Sequence, residues 1–179
     1  MDQAGLDPHK LVFVDETGAS TNMVRLYGRN AIGTRLVSHT PWGHWKTTTF
    51  TAGLRCDGLV APFVLDGPMN GEAFLIYVEK VLVPTLTVGD IVIMDNLGAH
   101  KVEGVRELIE SARARLVYLP PYSPDLNPIE LAFSKLKSAL KKAAERTIPA
   151  LWDTIKIALD EFTPDECAAY LVHDGYAPS

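Results

Sequence analysis

The chain has 179 residues, is 47% hydrophobic and carries a formal net charge of −5, which indicates one globular domain large enough to bury a core. No apolar run approaches the roughly eighteen residues of a membrane helix, and the acidic N-terminus does not resemble an export signal. The two cysteines, Cys56 and Cys167, lie far apart, so we expect neither a disulfide framework nor a zinc site, and a reducing cytoplasm as the location.

The negative charge is unevenly distributed along the chain. Residues 147–179 hold six acids and one lysine, which accounts for the whole excess. Residues 17–56 hold five basic residues and no acid, and a second basic group lies within 135–146. Local basic patches matter more for a polyanionic partner than the total charge does. The two patches are compatible with nucleic-acid binding, and each alone is equally compatible with an ordinary solvated surface.

Short apolar runs alternate with helical patterns along the chain. The hydrophobic patterns predict three closely linked strands, a helix, a strand, a helix, a strand and two long helices, over residues 10–17, 46–55, 58–67, 70–82, 89–96, 102–112, 114–120, 128–145 and 149–162. The acidic end that follows is expected to be peripheral. This order predicts an α/β fold in which a mixed five-stranded sheet, part antiparallel meander and part parallel, is flanked by helices.

Two acids, Asp15 and Asp95, stand at the ends of predicted strands that are apolar throughout. Either one could simply terminate its strand, because acids are poor strand formers and favour turns. Two acids in the same position on buried strands favour a site, since ligands gather at the carboxyl ends of parallel strands. If the strands are neighbours, the two carboxylates lie close together and need a counter-ion.

The segment "YLPPYSPDLNPIE" ends on Glu130 and allows two interpretations. In the first, Asn127 is the N-cap of a helix, Pro128 is its first residue, and Glu130 closes a capping box. In the second, the rigid proline-rich lead-in places the Glu130 carboxylate in a site with Asp15 and Asp95. Three carboxylates would suit Mg²⁺, which prefers oxygen ligands. Two such ions about 3.5–4 Å apart serve phosphodiester chemistry.

Three stretches, "VFVDET", "IVIMDNLGAH" and "LPPYSPDLNPIE", resemble the acidic motifs of DDE transposases, specifically the bacterial insertion-sequence branch of the mariner-like superfamily. Thirty-four residues separate Asp95 from Glu130, as expected of this branch when its third acid is glutamate. The resemblance covers about residues 9–165 and implies a ribonuclease-H-like core related to retroviral integrases.

The resemblance implies that Asp15, Asp95 and Glu130 are the catalytic, metal-binding triad, with two Mg²⁺ ions for which Mn²⁺ can substitute. The implied reaction is hydrolysis of DNA phosphodiesters at transposon ends, followed by transfer of the 3′-hydroxyl into target DNA. Glu16 and Asn96 would support the triad rather than bind metal, because adjacent strand residues point to opposite faces. His100 would orient Asp95 or bind a phosphate, or would be an ordinary, partly exposed histidine at a helix start.

The resemblance also implies transposon-end and target DNA as partners, and a homodimer formed when two ends pair. The basic residues that we predict to contact DNA are Arg25, Arg29, Arg35, Lys137, Lys141 and Arg146. Because few residues precede the first strand, we expect residues 1–179 to form a single catalytic domain. The family's N-terminal helix-turn-helix DNA-binding domain would then be a separate part. Two alternatives stay open, an inactive DNA-binding remnant and a phosphoacceptor signalling domain.

Overall fold

A computed structural model describes residues 6–37, 39 and 41–176 of the chain. Its five strands form one sheet in the order β3-β2-β1-β4-β5, with bounds β1 Leu11–Ser20, β2 Thr47–Arg55, β3 Gly58–Leu65, β4 Ile91–Met94 and β5 Arg115–Tyr118. Strands β1, β2 and β3 pair antiparallel, whereas β4 lies parallel to β1 and β5 parallel to β4. The predicted mixed five-stranded sheet is therefore confirmed.

Strand β1 is buried on both faces of the sheet. Leu11 and Phe13 belong to one hydrophobic cluster, and the alternating residues Val12 and Val14 belong to the other. All four are fully buried, as expected for a central strand with helices on each side. The strand runs three residues further than predicted, because its end, through Ser20, continues to pair with β2.

In the described part of the chain, five α-helices cover the two faces of the sheet. One layer contains α1 (Gly71–Tyr77), which continues into a wider π turn, and α2 (Val105–Ser111). The other layer contains α3 (Ile129–Ala143), α4 (Ile148–Leu159) and α5 (Pro164–His173). Within the described ranges, none of these helices is long and apolar enough to cross a membrane.

The C-terminal end is part of the core, so the prediction that it is peripheral was wrong. Cys167, Leu171 and Tyr176 are all buried in the cluster beneath α3. The Glu166 carboxylate pairs with Lys135 Nζ at 2.5 Å and ties α5 to α3. Two of the acids that suggested an exposed tail, Asp165 and Glu166, lie in the first turn of α5, where the helix dipole favours negative charge.

A long excursion, residues 21–46, joins β1 to β2 without forming a helix or a strand in its described part. It carries several large exposed hydrophobic side chains, including Tyr27 and Trp42. Its base is closed by a hydrogen bond of 3.0 Å from the Thr21 amide to the Lys46 carbonyl.

Candidate active site

The three predicted triad acids line one cavity of about 430 Å³. The pairing of Val14 with Met94 across β1 and β4 explains how two of them meet, since Asp15 and Asp95 each follow directly. Glu130 reaches the same cavity from the first turn of α3. The other lining residues come mainly from the segments after β4 and β5, and they are Asn96, Leu97, Lys101, Leu119, Pro120, Pro121, Tyr122, Ser123, Pro124 and Asn127.

Asp15 is only 5% exposed, and both of its carboxylate oxygens accept hydrogen bonds. The Glu16 amide donates to Oδ1 at 2.7 Å, and Asn127 Nδ2 donates to Oδ2 at 2.8 Å. Asn127 thus holds Asp15 and does not cap the helix. The structure shows no side-chain capping bond at the start of α3, so the capping-box interpretation of Glu130 was wrong.

The Asp15 carboxyl has a strongly raised pKa, for which burial is the main cause and neighbouring negative charge a further one. Burial raises the pKa of this carboxyl, the hydrogen bond from the Glu16 amide lowers it, and the charges of Asp95, Glu130 and Glu16 raise it further, to about 7. A cation placed among these groups would relieve both the desolvation and the repulsion.

This pKa predicts how the metal-free protein responds to pH. Because the folded-state pKa lies above the ordinary value of 3.8, the stability from protonated Asp15 is full at low pH and is lost as the pH rises towards about 7. In chelator, the free energy of unfolding of the wild type should fall relative to that of Asp15→Asn, by up to about 1.4 kcal/mol per pH unit. Urea denaturation of the wild type and of Asp15→Asn tests this between about pH 4.5 and 6.5. That range was chosen because it lies below the ordinary pKa of histidine in the unfolded chain. Free energies of unfolding that change in parallel with pH in the two proteins would contradict it.

His100 links Asp95 to Glu16. Its ring is fully buried, with Nε2 2.6 Å from Glu16 Oε2. Its Nδ1 lies 2.5 Å from Asp95 Oδ1, an ion-pair contact rather than a well-aligned hydrogen bond. Burial lowers the pKa of His100, but the two carboxylates outweigh it and raise the pKa to about 10, so the ring is an imidazolium. An exposed helix-start histidine is excluded, and these contacts favour the predicted orientation of Asp95.

Asp95 is held on the other side by its own backbone. The Leu97 amide donates to Asp95 Oδ1 at 3.1 Å. Burial raises the pKa of Asp95, but the close contact with His100, the hydrogen bond from the Leu97 amide and the charge of His100 lower it below its ordinary value. Asp95 is therefore ionised at neutral pH even without a metal.

The two residues beside the triad acids differ in their placement. Glu16 contacts His100 and is not among the residues that line the cavity, as expected for a supporting group. Asn96 lines the cavity although it was expected to point away from it. Its Oδ1 is buried and has no hydrogen-bond partner among the described residues, which leaves an oxygen acceptor available there.

The donor set fits a hard divalent cation. No group of three or more His, Cys, Asp or Glu in the described part of the chain is already arranged to hold a metal ion. All the donors that line the cavity are oxygens, including the unpaired Asn96 Oδ1, and oxygen is the ligand that Mg²⁺ prefers. The Glu130 side chain is exposed and makes no hydrogen bond to any described residue, so it is free to turn towards Asp15 and Asp95.

The predicted DNA-binding residues fall into three groups. Arg25, Arg29 and Arg35 are exposed on the excursion. Lys137 and Lys141 are half-buried on α3, on the side of the helix that carries Glu130. Arg146 Nη1 donates to the Thr21 and Met23 carbonyls at 3.0 and 3.1 Å, so this residue anchors the excursion. Contact with DNA stays a prediction for all six.

Sequence reasoning did not assign Asn127 and Lys101 to the site, although both line the cavity. Asn127 was interpreted as a helix cap, because Asn-Pro before a helical pattern usually has that role. Lys101, which follows His100, is exposed at the cavity and lies 5.5 Å above the Tyr118 ring. No motif marked Lys101 in the sequence, because its place beside the three acids follows only from the fold.

Comparison with known proteins gives a family and a fold. The model of the DDE superfamily endonuclease family matches residues 10–151. No curated protein matches the chain in sequence. Solved structures of the Mos1 mariner transposase are similar in fold.

The pre-cleavage Mos1 transpososome has a TM-score of 0.73 at 15% identity, over 92% of this chain and 52% of that one. The catalytic domain of Mos1 mariner transposase has a TM-score of 0.68 at 16% identity, over 92% and 76%. The Mos1 paired-end complex with Mg has a TM-score of 0.70 at 17% identity, over 92% and 52%. The chain thus spans about half the length of the transposase in the two complexes, and the likeness establishes a shared core fold.

Proposed function

Because the chain belongs to the DDE superfamily endonuclease family, we propose that it is the catalytic domain of a transposase. It would hydrolyse DNA phosphodiesters at transposon ends and transfer the resulting 3′-hydroxyl into target DNA. The observation that carries this proposal is the meeting of Asp15, Asp95 and Glu130 in one cavity, at the point where the parallel pairing of β1 with β4 ends. A phosphoacceptor domain accounts neither for the family match nor for the third acid on α3.

Divalent metal use is supported by the oxygen donors of the cavity and by Mos1 complexes that contain Mg or Mn. Asp15, Asp95 and Glu130 would hold the ions. When bound, a pair of Mg²⁺ or Mn²⁺ ions supplies charge neutralisation for the attacking and leaving oxygens of an in-line displacement.

The chain's own residues position this chemistry. Asn127 and the Glu16 amide fix the two oxygens of Asp15, and His100 fixes Asp95. Lys101 is placed to attract the phosphate of the strand that enters the cavity. No protein nucleophile is required, since water or a DNA hydroxyl attacks, and catalysis rests on positioning and charge neutralisation.

Cleavage of transposon-end DNA in the presence of Mn²⁺ tests the proposal. We expect metal-dependent nicking that chelator abolishes, measured on end-labelled duplex with the terminal sequence of the element. The triad variant Asp15→Asn is the control for contaminating nucleases. DNA binding without any metal-dependent cleavage would favour the inactive-remnant alternative.

The branch of the family and the partners of the chain are also part of the proposal. The thirty-four-residue spacing and the glutamate as third acid support the bacterial insertion-sequence branch. DNA as partner is supported by Mos1 structures that hold transposon ends. Pairing of two ends by a homodimer, and end recognition by a separate N-terminal DNA-binding part, belong to the same proposal.

We expect Lys137 and Lys141 to contact DNA phosphates beside the cavity. The double variant to alanine should weaken binding of all sequences alike and reduce the slope of log affinity against log salt by about two, because each phosphate contact releases close to one counterion. Binding titrations at several salt concentrations measure this. Lys80→Ala, on the opposite layer and paired with Glu79, is the matched control. An unchanged slope in the double variant would make both lysines ordinary surface charges.

A further inference from the structure

A second cavity, of about 180 Å³, lies between the excursion and the end of α3. We call it the tryptophan pocket, and its lining residues are Thr21, Asn22, Pro41, Trp42, Gly43, His44, Trp45 and Arg146. None of these residues lines the triad cavity, so the pocket has to be explained separately.

The floor of the tryptophan pocket is firmly held. Arg146 Nη1 donates to two carbonyls at the start of the excursion, and the Lys46 amide donates to Thr21 Oγ1 at 3.1 Å. Together with the bond from the Thr21 amide to the Lys46 carbonyl, these contacts fix both ends of the excursion against α3. The pocket therefore lies where hydrogen bonds hold the two ends of the excursion in place.

The indole rings of the pocket are open to solvent. Trp42 is 100% exposed and Trp45 is 58% exposed. Gly43, at a φ of +109°, makes the sharp bend between the two tryptophans that a residue with a side chain would adopt only under strain. Neither indole packs on another aromatic ring in the described part of the chain. Two exposed indoles beside a cavity offer flat apolar faces for stacking.

The charges around the pocket select an anionic partner. Arg25, Arg29, Arg35 and Lys46 are exposed on the excursion, which contains no acid. None of the four forms an ion pair with another described residue. A basic surface that carries exposed aromatic rings is the combination that binds single-stranded nucleic acid, in which phosphates contact the cations and bases stack on the rings. A cavity of this size accommodates one flat ring system and not a protein segment.

We propose that the tryptophan pocket binds an unpaired nucleobase of a DNA strand by stacking on Trp42, with Arg146 and the basic residues of the excursion contacting the adjacent phosphates. This inference rests on the proposed function in that DNA is the partner. It adds a separate subsite for unpaired DNA, outside the triad cavity.

Fluorescence anisotropy of labelled DNA tests the proposal, with oligothymidylate and a blunt duplex of equal length as probes. Trp42→Ala should weaken binding of the single strand about tenfold and change duplex binding less than twofold, because only an unpaired base can stack. Tyr27→Ala is the matched control, since Tyr27 is 90% exposed on the same excursion but does not line the pocket. Trp42→Phe, which keeps an aromatic face, should recover most of the affinity.

Two results would overturn the proposal. The first is that Trp42→Ala lowers the affinity for single strand and for duplex equally, or lowers neither. The second is a shift in sedimentation that shows altered self-association with unchanged DNA affinity, which would make the pocket an interface between copies of the chain.

Metal-dependent cleavage separates this proposal from the proposed function. If the wild type cleaves DNA with Mn²⁺ and Trp42→Ala binds single strand normally, only the pocket proposal fails. If Glu130→Gln abolishes cleavage, and Trp42→Ala weakens single-strand binding as expected, both are supported. A wild type that binds no DNA contradicts both.

Discussion

Glu130→Gln is expected to reduce Mn²⁺-dependent DNA cleavage by on the order of a thousandfold, because a metal ligand supplies several kcal/mol of transition-state charge stabilisation and each 1.36 kcal/mol is tenfold in rate. Its melting temperature in chelator should stay close to that of the wild type. The Glu130 side chain is exposed and makes no hydrogen bond to any described residue, so glutamine removes a charge without breaking a contact. Single-turnover cleavage and thermal unfolding measure the two effects.

Asp125→Asn is the matched control for this prediction. Asp125 lies in the same proline-rich segment and is exposed, but it does not line the triad cavity. It should therefore retain cleavage at close to the wild-type rate. Full cleavage by Glu130→Gln would show that Glu130 is not a metal ligand and that the proline-rich segment only starts α3.

His100→Ala is expected to affect both stability and metal binding. Removing the imidazolium leaves Glu16 and Asp95 without their shared partner, and breaking a buried ion pair costs about 3 kcal/mol or more. Loss of the group that orients a ligand should weaken Mn²⁺ binding about ten- to hundredfold. Urea denaturation and titration calorimetry of the metal measure these effects.

Glu16→Gln separates the two consequences of losing His100. Glutamine keeps an oxygen that can accept the proton of His100 Nε2, so the ring stays oriented while one charge is lost. We expect a smaller loss of stability and Mn²⁺ affinity within about threefold of the wild type. Unchanged Mn²⁺ affinity in His100→Ala would show that His100 packs the core and does not position Asp95.

The sheet and the triad were predictable because they depend on local patterns. The apolar runs "LVFV" and "IVIM" are each followed directly by an acid, which predicts two buried strands and places Asp15 and Asp95 next to their apolar residues. Asp95 directly follows β4, whereas Asp15 lies within β1, which continues to Ser20. Parallel neighbours then bring the two acids together, as the pairing of β1 with β4 confirms.

The contacts that hold the triad were not predictable in this way. Asn127 bonds to Asp15 across 112 positions of sequence, and its local context favours a cap instead. His100 follows Asp95 at the start of a helical pattern, where exposure is the usual outcome. It is buried because its ring packs on Phe74, from the other half of the chain, with centroids 4.4 Å apart.

A crystal of the chain grown with Mn²⁺ is the most direct test of the metal site, through the anomalous scattering of the metal. We expect Mn²⁺ density among the carboxylates of Asp15, Asp95 and Glu130, with the Glu130 side chain turned towards the other two. In a Glu130→Gln crystal that density should weaken or disappear. An ordered crystal in which Mn²⁺ occupies other sites, while the triad cavity holds none at millimolar metal, would contradict the assignment of these residues as a metal-dependent active site.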